Sequence, residues 1–520
     1  MLLTVLAAFL GVAGGGAAWV LLHLIGAITN LALFQQWGWT APSFRELSAG
    51  PQLYIAAILG ALAVSVLAIW SPVIRGHGIP ETMEAVLTKQ SRIAPRTAIA
   101  KPISAALAIG TGAPFGAEGP IIVTGGAIGS LLGQVIRVSP SERKILLASG
   151  AAAGMAATFG APLASVVLAI ELLLFELSPR AFVPLVTASA VAGGMHAALF
   201  GSGPLFRVPA HDYAGLGALP AFVLLGLACG LLSVVITTVL FELESLYRKL
   251  PVSEFWHPVI GAVILVSVGL LAPRALGVGY DAIGDVLAGR LALATVAALA
   301  TVKLVAWWFA LASGTSGGTL APILLISAGY GTLVGSGLNH VLPGHDVALG
   351  AFAVVAMAAT FGAATRATFA SMVFVFELTR DYEIVLPLML ATVVADLVAT
   401  SMTEESIMTE KLARRGLRIA RGYASDPFAT TVVSTIMSEA PDHVTVDAGA
   451  GRLVLVGVDD VAADALDVML REGTETVPVV EDGEVVGVVT RADLLKVHQH
   501  RIDQDTHQPG LLRRRRLRSR

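Results

Sequence analysis

The sequence predicts an all-α polytopic membrane protein with tilted and broken helices, followed by a small α/β domain. Three observations predict this fold class. The chain of 520 residues is 55% apolar and only 14% charged, whereas a soluble protein carries about 25% charged residues. A seven-residue segment occurs twice, which indicates two related halves. Beyond about residue 416 the composition becomes that of a soluble domain.

Long apolar segments predict the membrane helices, because about 20 apolar residues cross the hydrocarbon core. We interpret the first of them as a membrane helix rather than as a cleaved signal peptide. Shorter segments interrupted by Gly and Pro indicate broken or steeply tilted helices that line a polar site. The segments that reach or approach spanning length are 1–34, 52–71, 215–240, 254–275, 290–312 and 383–402, and those too short to cross alone are 79–88, 99–112 and 162–177.

The repeated segment relates the two halves of the membrane region. Residues 155–161 recur identically at 357–363, an offset of 202 that also aligns Pro120 with Pro322. The offset becomes 206 where Glu171 is set against Glu377. Two homologous halves in a membrane place the substrate site at their interface near the midplane. We place the halves at about 1–200 and 215–412, within a membrane domain of residues 1–416.

Three Gly-x-x-x-Pro steps, at 76–80, 116–120 and 318–322, each open an apolar helix. Proline fits the first helical turn, and glycine permits the backbone that leads into it. Each step therefore presents free N–H donors and partial positive charge at membrane depth. Several such ends aimed at one point would bind an anion without any lysine or arginine. The apolar segments contain neither a nucleophile–base pair nor a metal-ligand cluster, so we expect neither an enzyme nor a metal site.

Together, the steps, the repeat and the soluble tail resemble the CLC family of chloride channels and proton/chloride exchangers. Residues 116–120 look like its G-[RK]-E-G-P motif, 76–80 like G-S-G-I-P, and 318–322 like G-x-F-x-P; Phe159–Ala164 and Phe376–Thr379 fit its flanking helices. The resemblance implies an inverted-repeat bundle over residues 1–416. It also implies a homodimer with one anion pathway per subunit, in a membrane of the bacterial inner (plasma) type, with no nucleic-acid partner.

The resemblance assigns the gate to Glu118. A carboxylate at this depth is costly unless a dipole or a cation holds it, and the first turn of a helix supplies the dipole. Ionised Glu118 would occupy the anion site, and protonated Glu118 would leave it; the alternative is a plain N-terminal capping residue. The expected anion-contacting residues are Gly76, His77, Gly78, Ile79, Pro80, Gly116, Ala117, Gly119, Pro120, Gly318, Thr319, Leu320, Ala321, Pro322 and Met408.

Two departures concern the anion. His77 stands where the family places a serine hydroxyl, and Met408 stands at the position of its tyrosine. Both familiar hydroxyls are therefore missing, which leaves the preferred anion open. Backbone N–H groups would still hold the ion. His77 would either donate a ring N–H to it, with pH sensitivity if protonated, or be a neutral histidine bonded to a neighbouring carbonyl.

A third departure concerns protons. Family exchangers commonly relay protons through a glutamate just after the position of Glu171, where this chain has Leu172. Leucine carries no proton, so the sequence favours channel-like conduction. A proton-coupled antiporter with an atypical route through Glu171 or Glu176 remains the alternative, although we expect Glu171 and Glu377 to be structural. A third alternative is a non-transporting receptor that senses nucleotides.

The soluble tail, 430–497, resembles a single cystathionine-β-synthase-type (CBS) motif. Strands are predicted at 444–446, 477–480 and 485–489, with a helix at 462–472. Thr490 and Asp493 match residues that contact adenine nucleotide in some such domains, but Asp493 also fits an N-cap. CBS motifs act in pairs, so a single motif would pair across a dimer. The basic run at 513–516, in a tail of residues 498–520 expected to be disordered, indicates a cytoplasmic C-terminus near anionic lipid.

Overall fold

The computed structural model describes residues 1–175, 178–209, 215–341, 347–416, 428, 431–439, 455–481 and 484–497. The chain divides into two compact units, Met1–Ala420 and Arg421–Arg520. Three sequence expectations lie outside the described residues: the proton role of Glu176, the strand at 444–446, and the tail of residues 498–520 with its basic run at 513–516.

The first half of the membrane unit contains eight helices among the described residues. Two of them, α5 and α6, pack against each other, as do α1 and α8. A π-helical turn, Ile170–Leu174, extends α7. The helices are α1 (Leu2–Leu33), α2 (Pro51–Trp70), α3 (Ile79–Thr88), α4 (Pro95–Gly110), α5 (Glu118–Val135), α6 (Pro140–Phe159), α7 (Pro162–Ala169) and α8 (Pro179–Phe200).

The second half repeats this order. Helices α13 and α14 pack as α5 and α6 do, and α9 and α16 pack as α1 and α8 do. A short helix, α17 (Glu410–Arg414), follows the repeat. The repeated helices are α9 (Leu219–Lys249), α10 (His257–Gly269), α11 (Tyr280–Leu287), α12 (Leu293–Ala312), α13 (Leu320–Val341), α14 (Leu349–Thr365), α15 (Thr368–Thr379) and α16 (Val385–Met402).

Seven helices of the described chain are long and apolar enough to cross a membrane. The prediction of a near-spanning segment at 254–275 was wrong, because α10 has only 13 residues. It ends at Gly269, and Pro273 then opens a separate 3-10 turn. Two spans were missed, α8 and α13. Glycine and polar residues interrupt the apolar run of each, so neither stands out in the sequence as one unbroken apolar segment.

The halves contact each other reciprocally at two equivalent glycines. Gly116 N donates to Gly318 O at 3.3 Å, and Gly318 N donates to Gly116 O at 2.9 Å. These glycines are equivalent in the repeat, so the contact is the same when viewed from either half. A Cβ at Gly318 would lie 2.6 Å from Gly116 O, so only glycine allows this approach.

A second reciprocal contact joins α7 and α15. The Glu377 carboxylate accepts from Leu163 N at 3.1 Å and from Ala164 N at 2.7 Å. In the opposite sense, Glu171 Oε2 accepts from Ala370 N at 3.0 Å. Each glutamate thus binds the free N–H groups that begin the partner helix, where negative charge is favoured. The expectation that both glutamates are structural agrees with these contacts.

The described part of the tail is a four-stranded sheet with helices. The strand order is β1 (Ser438–Glu439), β4 (Glu484–Thr490), β3 (Thr476–Glu481) and β2 (Val456–Gly457). β3 and β4 form an antiparallel pair, and β2 lies parallel to β3. Helix α18 (Ala462–Glu472) packs on β3, and residues 491–497 are helical. The predicted helix at 462–472 and the strands at 477–480 and 485–489 are confirmed.

Glu377→Gln should destabilise the membrane unit. The amide keeps only one acceptor oxygen for two backbone donors and loses the charge that favours the start of α7. We expect a loss of about 1–3 kcal/mol, measured as a lower thermal midpoint in detergent. The exposed Glu242→Gln on α9 is the matched control and should leave the midpoint unchanged. An equal midpoint for both variants would contradict the structural role.

Candidate anion site

The three Gly-x-x-x-Pro steps meet inside the membrane unit. The pairing of Gly116 with Gly318 joins two of them. The third joins through Gly317 N, which donates to Gly76 O at 3.4 Å. A Cβ at Gly119 would lie 2.1 Å from His77 O, so α5 begins in direct contact with the loop that precedes α3. The steps are buried, and they face one another rather than lipid.

Each of the three helices begins with N–H groups that precede its first internal hydrogen bond. In α3 this bond is donated by Thr82 N to Gly78 O, and in α5 by Ile121 N to Ala117 O. In α13 it is donated by Ile323 N to Thr319 O. The left-handed Gly78, with φ of +91°, turns the chain into α3, a conformation that favours glycine. Three positive helix ends therefore converge.

Glu118 lies at this convergence and is 1% exposed. Its Oε1 accepts from Ala321 N, in the first turn of α13, at 3.0 Å. The Tyr280 hydroxyl donates to the same oxygen at 3.4 Å. A carboxylate from α5 thus binds the N-terminus of a helix from the other half. The Glu118 carboxylate therefore occupies a position that suits a bound anion as well as a capping side chain.

Three buried polar side-chain atoms at the site have no hydrogen-bond partner among the described residues. They are Glu118 Oε2, His77 Nδ1 and Thr319 Oγ1, one on each of the three steps. A buried polar atom without a partner is costly, and few occur in native structures. Three such atoms, on three segments that contact one another, indicate a place where a small polar or charged species binds.

Two lysines that the sequence analysis did not single out lie close to the steps. Lys101 on α4 and Lys303 on α12 are both fully buried. Lys101 Nζ donates to Ile74 O at 2.8 Å and to Gly76 O at 2.7 Å. Both carbonyls belong to the loop before α3, so the lysine binds the backbone that shapes the first step.

Lys303 is the repeat equivalent of Lys101, 202 residues further along. Its Nζ donates to Gly277 O at 2.5 Å and to Val278 O at 3.2 Å, in the loop before α11. It also exerts an electrostatic interaction on Glu118. Each half thus holds one buried lysine against the loop that begins a short helix. The sequence carries a signal for Lys101 and Lys303: each is an isolated basic residue in an apolar helix, and the two positions are equivalent in the repeat.

Two cavities reach the site from different directions. One, of about 690 Å³, is lined by residues that include Ala117, Thr158 and Tyr280. The other, of about 550 Å³, is lined by residues that include Gly76 and Lys411. In the second cavity six basic side chains face four acidic ones, so the net charge attracts anions. The convergence of the steps therefore lies between two openings.

The departures at His77 and Met408 are both buried. The backbone of Ile407 lies within hydrogen-bond reach of the His77 ring, which brings the segment beside Met408 to the site. Neither residue supplies a hydroxyl. The side-chain hydroxyl that reaches Glu118 belongs to Tyr280, in the second half, which the sequence interpretation missed. Leu172 is 4% exposed in the π-helical turn.

Comparison with known proteins decides the family. The family model described as "Voltage gated chloride channel" matches residues 59–400. The chain belongs to the voltage-gated chloride channel (CLC) family. The CBS domain model also matches residues 433–500. The recognition of a CLC-type membrane unit with a CBS-type tail is therefore confirmed.

Relatives and solved structures agree with this membership. The chain is 30% identical over 385 residues to a "H(+)/Cl(-) exchange transporter ClcA" of Vibrio campbellii, covering 71% of this chain and 81% of the relative. It is 28% identical over 341 residues to a "Putative chloride channel protein ClcB-like" of Ralstonia nicotianae, covering 65% and 80%.

Among solved structures, a slow cyanobacterial Cl⁻/H⁺ antiporter superposes with a TM-score of 0.69 at 23% identity, covering 79% of this chain and 96% of that one. A eukaryotic CLC transporter gives 0.66 at 18% identity, covering 94% and 97%. These likenesses confirm the inverted-repeat fold class.

In the tail, Thr490 and Asp493 form a capping box rather than an open site. Asp493 Oδ2 accepts from Thr490 N and Oγ1 at 3.0 and 2.6 Å, and Asp493 N donates back to Thr490 Oγ1. Thr490 is therefore the N-cap, and the N-cap expectation for Asp493 was wrong.

Burial disfavours the charge of Asp493, but hydrogen bonds from Lys496, Thr490 and Ser438 lower its pKa. Its stabilising effect is thus present at neutral pH and is lost as pH falls through that lowered pKa. The nucleotide contact stays a prediction.

Proposed function

We propose that this protein carries chloride or a similar small anion across the membrane, through the point where α3, α5 and α13 begin. One observation carries the proposal. The Glu118 carboxylate, itself an anion, is buried against Ala321 N at the start of α13. The other two steps carry buried polar atoms without a hydrogen-bond partner among the described residues, His77 Nδ1 and Thr319 Oγ1. A site that holds one buried negative group in this way is suited to hold another.

Chloride is the anion that the relatives' names support, since both a ClcA and a ClcB-like protein are described by it. The site itself is built mostly from backbone N–H groups, which bind small anions without demanding a particular geometry. His77 and Met408 replace the expected hydroxyls, so selectivity among small anions in this chain would depend on His77 and the backbone.

Glu118 acts as the gate in this proposal. When ionised, the carboxylate occupies the site and excludes the anion. When protonated, it loses its charge, and with it most of its attraction to the start of α13 and to Lys303. The neutral side chain then leaves, and the anion takes the vacated donors. Anion flux should therefore rise as pH falls.

Conduction is channel-like in this proposal, because the second proton-carrying position is occupied by buried Leu172. Glu171 offers no substitute, since its carboxylate is engaged by Ala370 N. The named relatives include both exchangers and a putative channel, so proton-coupled exchange is the alternative that measurement must exclude. We further propose a homodimer in the inner membrane with its C-terminus in the cytoplasm.

Replacing Glu118 with glutamine should remove the pH dependence of transport. The amide has nearly the same shape but cannot ionise, so the gate stays in its neutral state. We expect chloride efflux from proteoliposomes to rise severalfold in wild type between pH 7.5 and 4.5. The Glu118→Gln efflux should be high and flat over the same range, as followed with a chloride electrode.

Glu242→Gln is the control, because this side chain is exposed on α9 and its replacement should keep the wild-type pH profile. Identical, pH-independent efflux from wild type and Glu118→Gln would refute the gate. Absence of chloride efflux from both, in well-folded protein, would refute anion transport itself.

The mode of transport is tested by the reversal potential under a proton gradient at equal chloride. A channel passes only the anion, so the potential should remain at zero as the pH difference is varied. Coupled exchange would shift it in proportion to the pH difference, because protons then contribute to the driving force. Planar bilayers containing the purified protein give the measurement, and such a shift would overturn the channel-like assignment.

A further inference from the structure

Tyr280 occupies a special place in the repeat. It is the first residue of α11 and follows left-handed Gly279, φ of +89°, as Ile79 follows left-handed Gly78, φ of +91°. The two helix starts are therefore built alike, one in each half. Where the first half presents an aliphatic side chain, the second presents a phenol.

The Tyr280 ring is oriented by two aromatic neighbours. Phe159 and Phe206 meet it edge to face, with ring centroids 6.4 and 5.8 Å away, an arrangement that favours a single ring orientation. Phe206 is itself held, because its N–H donates to Leu378 O at 3.0 Å. The hydroxyl is thereby directed at Glu118 Oε1. Among the described residues, it is the side chain that hydrogen-bonds this carboxylate.

We propose that Tyr280 is the latch of the gate. Its hydroxyl stabilises ionised Glu118 in the closed site and donates to the anion that replaces the carboxylate when the gate opens. The inference rests on the proposed gating function. It supplies the side-chain hydroxyl that His77 and Met408 do not provide, from the opposite half of the repeat.

The charged and titratable groups around the latch give the sign of the effect. Lys303 from α12 acts on Glu118, His77 lies on the loop before α3, and Asp281 follows Tyr280 on α11. A phenol donates over the whole neutral and acid range. Removing its hydroxyl weakens the ionised, closed state and leaves these other groups in place. Opening should then occur at higher pH.

The experiment is a double-mutant comparison of chloride efflux from proteoliposomes between pH 4.5 and 8. Tyr280→Phe keeps the ring and removes only the hydroxyl. We expect its efflux at pH 7.5 to exceed wild type by roughly three- to tenfold, the effect of one hydrogen bond of ordinary strength. Its pH profile should move to higher pH. In the Glu118→Gln background the same change should leave the profile flat and should not raise efflux.

Tyr330→Phe is the matched control, and its efflux and pH profile should match those of wild type. The Tyr330 hydroxyl, on α13, pairs with Thr301 Oγ1, on α12, at an exposed contact. Tyr280→Leu is a second hydroxyl-free variant and should shift the profile in the same direction, which keeps the test valid if Tyr280→Phe folds poorly.

The outcomes separate the latch from the gate. If wild type and Glu118→Gln differ as expected but both Tyr280 variants follow the wild-type profile, the latch is refuted and the gate stands. An equal rise in efflux from Tyr280→Phe in both backgrounds would also refute the latch, since the tyrosine would then act independently of Glu118. If wild type has no pH dependence, the gating proposal fails first.

Discussion

The rest of this structure depends on the binding of a buried negative charge by backbone N–H groups at helix starts. A charge within a bilayer is costly unless fixed partners replace its water. Here the partners of the Glu118 carboxylate are Ala321 N in the first turn of α13 and the Tyr280 hydroxyl, and Lys303 interacts with it electrostatically. The Gly-rich loops, the short helices and the close contact of Gly116 with Gly318 all serve to bring those ends to one point. Longer, unbroken helices would carry their termini to the membrane surface.

The repeat explains how one chain achieves this convergence. Each half contributes a glutamate to the partner helix start, a lysine to a loop carbonyl, and a glycine to the central contact. Because the contacts are reciprocal, a single duplicated element yields two complementary surfaces. The halves differ where function requires it. The third step has no carboxylate at the position equivalent to Glu118, and Tyr280 stands at the position equivalent to Ile79 in the repeat. The asymmetry of a gate is thus superimposed on a symmetric scaffold.

Much of the fold followed from the sequence, because Gly-x-x-x-Pro steps and a seven-residue identity are local signals. The meeting of the three steps followed as well. Tyr280 could not be found, since its contact with Glu118 joins residues 162 positions apart and depends on the tilt of α11. Lys101 and Lys303 were missed because a lysine in an apolar segment looks like an interruption. Helix α8 was missed for a related reason, since proline, glycine and polar residues interrupt its apolar run.

The central claim is tested most directly by locating an anion. Crystals of the Glu118→Gln protein grown in bromide should show an anomalous peak where the wild-type carboxylate lies, within hydrogen-bond distance of Ala321 N. The wild-type protein at high pH should lack that peak, because its own carboxylate fills the position. Bromide absent from this point in the Glu118→Gln protein, or bound only at surface lysines and arginines, would contradict the account.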